Sequence, residues 1–256
     1  MKILISNDDG IDSPGIKALA NAFQNMGEVF VVAPHRERST AGHSLTLHKP
    51  LRIISFGNNY FATTGTPADC VYLGIREIVK GRPDILLSGI NRGANLGTDL
   101  YYSGTVAAAR EAALMNIRSY AFSLADLSLS LPNIPRQPMR FEMAAQMARK
   151  VVEDTLKIPF PSHSLLNVNI PNLEATQIKG MKIARQGIRY YKDEVTKRTD
   201  PRGRDYYWIG GAYEGFEEDL YSDCHAVQES YISIAPITID GTHNEFYTTL
   251  QSALNK

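Results

Sequence analysis

Short apolar runs alternate with helical patterns between residues 2 and 170 of the chain. Lys2–Ser6 and Glu28–Ala33 are two such runs, and Ile16, Leu19 and Phe23 recur at helical spacing between them. Apolar strands without alternating charges are typical of parallel sheets that helices cover on both faces. The alternation therefore predicts an α/β fold with a doubly wound, mostly parallel, Rossmann-like sheet.

The remaining secondary structure is predicted from the same periodicities and from turn residues. Further strands are predicted at Arg52–Ser55, Tyr60–Thr63, Asp84–Ser88, Tyr120–Ser123, Leu165–Ile170 and Tyr231–Ala235, the first two as a hairpin. Helices are predicted after Thr66, from Ser103 to about Asn116, over Met139–Leu156, and in the tail from His243. Thr66, Pro67 and Asp69 have the residue types and the spacing of a helix capping box.

The character of the sequence changes after Gly180. Residues 185–211 are rich in Arg, Tyr and turn residues, and this composition favours extended hairpins over helices. We therefore predict a catalytic core over residues 1–180 and, over 181–256, an extended hairpin arm, a returning strand and a C-terminal helix. Arg185–Trp208 also interleaves basic and aromatic residues, as RNA-binding surfaces do. The interpretation we favour is an oligomer arm whose Tyr and Trp side chains pack on a partner subunit.

Charge and cysteine content argue against several classes of function. Lys and Arg together number 27, as do Asp and Glu, so the formal net charge is zero and gives no general attraction to nucleic acid or anionic membranes. No apolar stretch approaches the roughly 20 residues of a membrane span, and the apolar start is too short for a secretory signal. Cys70 and Cys224 lack a metal-binding spacing and are expected to be free thiols. We expect a cytoplasmic protein with no membrane and no stable nucleic-acid partner.

A pair of adjacent carboxylates, Asp8 and Asp9, follows the first predicted strand directly. Ligands of open parallel sheets bind beyond the carboxyl ends of the strands, which is where this pair lies. Adjacent carboxylates repel each other, so keeping both ionised is costly unless a cation compensates. Oxygen ligands suit a hard divalent ion such as Mg²⁺ or Mn²⁺. The alternative is an ordinary turn at Asp9-Gly10 with a solvated Asp8.

Two further loops are predicted to leave the same edge of the sheet. Residues 34–44 combine Arg36 and Arg38 with hydroxyl side chains, which suits a loop that faces phosphate, although a solvated surface loop is the alternative. Residues 88–97 are rich in Gly and Asn, which permit close backbone approach and supply amide oxygens and donors. Ser103–Thr105 opens a predicted helix, whose free amides attract phosphate. Each loop is weak evidence alone, but together they predict a phosphate and metal site.

Competing motifs are absent from the sequence. No glycine loop ending in Lys-Ser or Lys-Thr occurs, and the dinucleotide glycine fingerprint does not follow the first strand. His and Cys pairs at zinc-ligand spacing are also missing. The histidines are scattered, and most are expected to have loop or capping roles. His43 is the one that merits a test, because of its neighbourhood in the loop of residues 34–44.

Distinctive motifs extend over nearly the whole chain. They are Ser6-Asn7-Asp8-Asp9-Gly10, Val32-Ala33-Pro34, Gly65-Thr66-Pro67-Ala68-Asp69, Ser88-Gly89-Ile90-Asn91, Asn95-Leu96-Gly97, Tyr102-Ser103-Gly104-Thr105, Asn167-Val168-Asn169-Ile170-Pro171 and Pro201-Arg202-Gly203-Arg204. The combination is highly specific, and by it the chain resembles the SurE family (survival protein E).

The resemblance implies a metal-dependent phosphatase of nucleoside 5′-monophosphates, also active on 3′-monophosphates and short polyphosphates. It implies one divalent ion, Mg²⁺ or Mn²⁺, bound by Asp8, Asp9, Ser39 and Asn91. The phosphate would then lie near Asn95, Ser103, Gly104 and Thr105, and the catalytic residues would be Asp8, Asp9 and Asn95. The resemblance also implies a homodimer or homotetramer that forms by exchange of the C-terminal hairpin arm.

The sequence leaves the nucleophile open. Metal-activated water is the expected nucleophile, but Asp8 or Asp9 could act as general base or attack phosphorus directly. The Asp-x-Asp spacing of aspartyl-phosphate phosphatases is missing, which argues against a covalent intermediate. The alternative function is a non-catalytic nucleotide- or phosphate-sensing module of the receiver type. Such a module would have about half this length and a Lys at a later strand end, and the chain shows neither.

Overall fold

The computed structural model describes residues 1–40, 42–126 and 137–254. Its strands are β1 (Lys2–Ser6), β2 (Glu28–Pro34), β3 (Ile53–Gly57), β4 (Tyr60–Thr63), β5 (Ile85–Arg92), β6 (Arg118–Ala125), β7 (Ser164–Pro171), β8 (Met181–Ile183), β9 (Arg189–Tyr191), β10 (Glu194–Thr199), β11 (Asp205–Gly210), β12 (Tyr213–Phe216) and β13 (Ile232–Thr238). Nine of these strands form one sheet in the order β3-β4-β2-β1-β5-β6-β7-β13-β8.

The helices cover both faces of this sheet. They are α1 (Pro14–Phe23), α2 (Pro67–Leu73), α3 (Gly104–Leu114), α4 (Phe141–Thr155), α5 (Asp223–Gln228) and α6 (Asn244–Leu254). Ile3 and Ile5 of β1 point to the face that is packed by α1 and α4, whereas Leu4 points to the face packed by α2 and α3. Because successive strand side chains alternate between faces, a fully apolar β1 is what a sheet covered on both sides requires.

Strand pairing confirms the predicted doubly wound α/β fold. The strands from β4 through β2, β1, β5 and β6 to β7 pair in parallel. Antiparallel pairs occur between β3 and β4, which form the predicted hairpin, and between β7 and β13. The carboxyl ends of β1, β2, β5 and β6 therefore meet at one edge of the sheet.

Local capping interactions start two of the helices at this edge. The Thr66 hydroxyl accepts a hydrogen bond from the Asp69 amide, and the Asp69 carboxylate accepts one from the Thr66 amide at 2.8 Å. The predicted capping box of α2 is thus confirmed. At α3, the Ser103 hydroxyl accepts a hydrogen bond from the Val106 amide at 3.1 Å. Both helices begin where their capping residues predict.

Strand β5 is longer than predicted. The sequence places its end at Ser88, but the strand continues to Arg92, and its pairing with β6 shifts in register between Ser88 and Asn91. Gly89 lies at this irregularity with a φ of 133°, a conformation that is accessible to glycine and strained for other residues. Asn91 and Arg92 therefore stand at the end of a strand instead of in a loop.

The chain beyond Gly180 contributes both to the sheet and to an extended arm. β8 and β13 join the main sheet, β9 pairs with β12, and β10 with β11 forms a hairpin whose strand residues are all exposed. The predicted C-terminal helix is present as α6, but none of its residues is buried. The division into a core and an arm at residue 180 stays a prediction. Within the described ranges, no helix has the length and apolar character needed to cross a membrane.

Candidate functional site

A cavity of about 770 Å³ opens at the edge of the sheet where β1 and β5 end. This volume is within the usual range for small-molecule sites. Six of the eight predicted site residues line the cavity, namely Asp8, Asp9, Ser39, Asn91, Asn95 and Ser103. The other two, Gly104 and Thr105, lie in the first turn of α3, directly against Asp8.

The two adjacent carboxylates are held in an environment that disfavours negative charge. Burial raises the pKa of Asp8, whose side chain accepts a hydrogen bond from Thr105. Burial, and then the charge of Asp8, raise the pKa of Asp9 to about 6. The charge of Glu37, a third carboxylate on the cavity wall, contributes to the raised pKa of both groups. A bound cation would relieve the repulsion among these groups.

The start of α3 supports Asp8. The Thr105 hydroxyl donates to Asp8 Oδ1 at 2.5 Å, and the Thr105 backbone also hydrogen-bonds to this carboxylate. Because the free amides of a helix N-terminus carry partial positive charge, they favour an anion at this position. The approach is so close that a Cβ on Gly104 would lie 2.7 Å from the Asp8 Cβ. The Thr105 hydroxyl hydrogen is thus used in the bond to Asp8. The predicted contact of Thr105 with phosphate stays a prediction.

The predicted metal ligands form an oxygen-only donor set. The Asn91 amide nitrogen donates to the Gly93 carbonyl at 3.0 Å, so the side-chain oxygen is the atom left for a ligand. The Ser39 hydroxyl donates to Glu37 Oε1 at 2.5 Å, which leaves its lone pairs free to bind a cation. Among the described residues, no three His, Cys, Asp or Glu side chains cluster as a metal site. A metal here would therefore need the hydroxyl and amide oxygens as well as the carboxylates, and this donor set fits Mg²⁺ or Mn²⁺.

Asn95 is fixed by two asparagines that the sequence analysis assigned no role. Asn169 Oδ1 accepts from the Asn95 backbone amide at 2.8 Å, and the Asn167 and Asn169 side-chain amides both donate to the Asn95 backbone carbonyl. The Asn95 side chain donates one hydrogen to Ser123 Oγ, which leaves its second hydrogen for another acceptor. Asn167 and Asn169 are two residues apart on a buried strand, so their side chains share one face of the sheet. This spacing can be read from the sequence and could have pointed to a shared role.

Two further carboxylates near the site were also missed. Glu37 lines the cavity and accepts the Ser39 hydroxyl. Asp223 is buried and accepts hydrogen bonds from the amides of Gly97 and Gly187, both at 3.0 Å. It thereby joins the loop after Asn95 to the base of the arm. Glu37 could have been identified from its position in the predicted phosphate-facing loop. For Asp223, no local sequence pattern indicates its contacts with Gly97 and Gly187.

Comparisons with known proteins agree with this fold and with the resemblance drawn from the sequence motifs. The sequence model of a family described as Survival protein SurE matches residues 3–193. The chain is 46% identical over 243 residues to a protein of Pelobacter propionicus named 5′-nucleotidase SurE, and the match covers 95% of each chain. The protein of the same name from Geobacter sulfurreducens is 45% identical over 252 residues, which cover 98% of this chain and 93% of that protein.

A solved structure supports the same relationship. The crystal structure of the SurE protein from Aquifex aeolicus superimposes with a TM-score of 0.85 at 40% identity and covers 99% of both chains. The resemblance drawn from the sequence motifs is thus confirmed over nearly the full length. This chain belongs to the SurE family.

Proposed function

We propose that this protein is a 5′-nucleotidase that hydrolyses nucleoside monophosphates with one divalent ion, Mg²⁺ or Mn²⁺. The ligands we assign to the ion are Asp8, Asp9, Ser39 and Asn91. Asn95 and the α3 start at Ser103, Gly104 and Thr105 are assigned to the phosphate. Activity on 3′-monophosphates and short polyphosphates belongs to the same proposal. So does a cytoplasmic location, which the two unpaired thiols Cys70 and Cys224 support.

One observation carries the proposal. Two adjacent carboxylates, of which Asp8 contacts a helix start, line a cavity large enough for a nucleotide. Relatives with 45% and 46% identity over nearly the full chain are named as 5′-nucleotidases. A phosphate-sensing module would also need a cation and a helix start, so the distinguishing property is turnover.

The residues of the chain have separate tasks in this reaction. When bound, the ion would supply Lewis acidity toward a phosphoryl oxygen and toward an attacking water. Asp8 and Asp9 hold the ion, and Thr105 fixes the orientation of Asp8. Asn95 has one amide hydrogen left to donate to an equatorial phosphoryl oxygen, and its backbone is locked by Asn167 and Asn169. Such fixed donors stabilise developing charge without reorganising during the reaction.

Removal and return of the metal tests the proposed function. We expect EDTA to abolish phosphate release from 5′-monophosphates and added Mg²⁺ or Mn²⁺ to restore it, because the buried carboxylates need a counter-ion to bind phosphate. A panel of 5′- and 3′-monophosphates and tripolyphosphate defines the substrate range. Mn²⁺ at 100 times its Kd should also stabilise the fold by about 2.7 kcal/mol. Full hydrolysis after rigorous chelation would contradict the proposed requirement for a divalent ion. A protein that the metal stabilises but that does not hydrolyse nucleotides would support the sensing module instead.

The exposed arm supports the proposed oligomer. Trp208 and Ile209 on β11 are 64% and 91% exposed, and they offer apolar surface that a partner subunit would cover. We expect light scattering to give two or four times the 28.4 kDa mass of one chain. The double variant Trp208→Ser, Ile209→Ser should shift the mass toward one chain. Tyr72→Ser, an exposed aromatic residue outside the arm, is the control, and a monomeric parent protein would contradict arm exchange.

A further inference from the structure

The proposed ligand Ser39 lies in a long irregular connection. Residues 35–52 join β2 to β3 without a strand or helix among those that the structure describes, which leave out Ala41. Connections of this length are uncommon in compact domains and are usually functional. Within this connection we call the described residues 35–40 and 42–46 the Ser39 loop. A loop without regular structure can hold a ligand in place only if other parts of the fold anchor it.

The first half of the Ser39 loop is anchored through the backbone. The Arg38 amide donates to the Asp8 carbonyl at 2.8 Å, and the His35 amide donates to the Thr63 carbonyl at 2.8 Å. These bonds tie the loop to the end of β1 and to β4, next to the cavity. They do not reach past Arg38, so Ser39 and the residues that follow it need a second anchor.

Two buried carboxylates outside the metal site anchor the second half. Glu111 on α3 is 5% exposed, and its Oε2 lies 2.8 Å from Nε2 of His43. Asp69 on α2 is 3% exposed and accepts from the Thr46 amide at 2.8 Å and from the Thr46 hydroxyl at 2.6 Å. Thr66 adds a hydrogen bond from its hydroxyl to the Ser44 carbonyl. Without these partners a buried carboxylate would be costly, so the pairs are fixed features of the fold.

Glu111 connects this anchor to the rest of the site. It lies on the same helix whose first turn holds Asp8 through Thr105. One helix thus contacts both Asp8, through Thr105 in its first turn, and the Ser39 loop, through Glu111. We propose that Glu111, acting through His43, is a positioning residue that holds Ser39 in reach of the metal. The inference rests on the proposed role of Ser39 as a metal ligand.

Direct Mn²⁺ binding to the full chain tests the positioning role without using activity. Free Mn²⁺ is followed by electron paramagnetic resonance, and thermal unfolding shows that each variant is folded. We expect Glu111→Ala and His43→Asn each to weaken Mn²⁺ binding about 10-fold. Losses of this size are typical when a residue that positions a metal ligand is removed. Glu111→Gln keeps a hydrogen bond to His43 and should retain the affinity of the parent protein. The double variant His43→Asn, Glu111→Ala should be no weaker than either single variant, because both break the same contact.

Matched variants separate this inference from the proposed function. His163 contacts the Ala113 carbonyl at the far end of α3, so His163→Asn perturbs the same helix away from the loop and should leave Mn²⁺ binding unchanged. Ser39→Ala tests the ligand itself. If Ser39→Ala weakens binding and Glu111→Ala does not, the positioning role is wrong. If Ser39→Ala has no effect, the ligand assignment is wrong. Hydrogen exchange of residues 37–46 should be faster in Glu111→Ala than in the parent protein, and equal exchange would overturn the anchor.

Discussion

Asp8→Asn should lower the turnover of nucleoside monophosphates by more than about 100-fold, because it removes the charge of a direct metal ligand. Loss of a residue that only orients a metal ligand costs up to about 100-fold, and loss of the ligand's charge should cost more. Asn has the shape of Asp but lacks the charge that binds a divalent ion. Its side-chain oxygen can still accept the hydroxyl of Thr105, which donates to Asp8 at 2.5 Å in the parent protein. The contact with α3 is thus retained while the proposed metal affinity is lost.

The same variant should be at least as stable as the parent protein when metal is absent. Burial raises the pKa of Asp8, which means that the fold disfavours the ionised side chain. A neutral amide avoids this cost. Thermal unfolding in EDTA should therefore give an equal or higher Tm for Asp8→Asn, and added Mn²⁺ should no longer raise it. A stable but inactive variant is the expected signature of a metal ligand.

Asp12→Asn is the matched control for this experiment. Asp12 lies in the same loop, but its side chain is 87% exposed and forms an ion pair with Lys17 at 3.5 Å. Exposed pairs of this kind contribute little, so turnover and stability should change little. Near-normal hydrolysis by Asp8→Asn would remove the assignment of the metal site to the end of β1.

The parallel core could be predicted from the sequence because its signals are local. The apolar runs at Lys2–Ser6 and Glu28–Ala33 and the capping box at Thr66 each depend on neighbours within a few residues. The end of β5 was misplaced for the opposite reason. Asn91 and Arg92 have the composition of a loop, and only pairing with β6 keeps them in the strand. Tertiary contact overrides composition at that point.

The candidate site shows the same difference between local signals, which the sequence contains, and long-range contacts, which it does not. Asp8 and Asp9 could be identified from strand, loop and charge. The loops that carry Ser39, Asn91 and Asn95 could be identified from their composition, but the individual roles of these three residues came only from the family resemblance. The cavity brings all five together. The part that the sequence could not provide is long-range: the buried carboxylate of Asp223 joins Gly97 to Gly187, and no local pattern encodes that contact. The same is true of Thr105, whose hydroxyl points to Asp8 because α3 begins beside β1.

Gly104→Ala should lower kcat/KM about 100-fold, because a displacement near 1 Å at a reacting centre has an effect of this size. The added Cβ would lie 2.7 Å from the Asp8 Cβ and 2.8 Å from its Oδ2, closer than real Cβ contacts allow. It would also lie 3.1 Å from the Pro67 ring at the start of α2. Because both Asp8 and Pro67 crowd this position, we expect the Asp8 carboxylate to shift.

Gly104→Ala should change the geometry of the site without disrupting helix α3. Alanine is the best helix former, and Ser103 still caps the first turn, so α3 should form as before. Circular dichroism should match the parent protein, while Mn²⁺ affinity and kcat/KM both fall. Gly241→Ala is the control, because a Cβ there meets nothing within 4 Å and the residue has no strained φ. If Gly104→Ala kept full activity and full Mn²⁺ affinity, the close contact between α3 and Asp8 would have no role in holding the metal ligand.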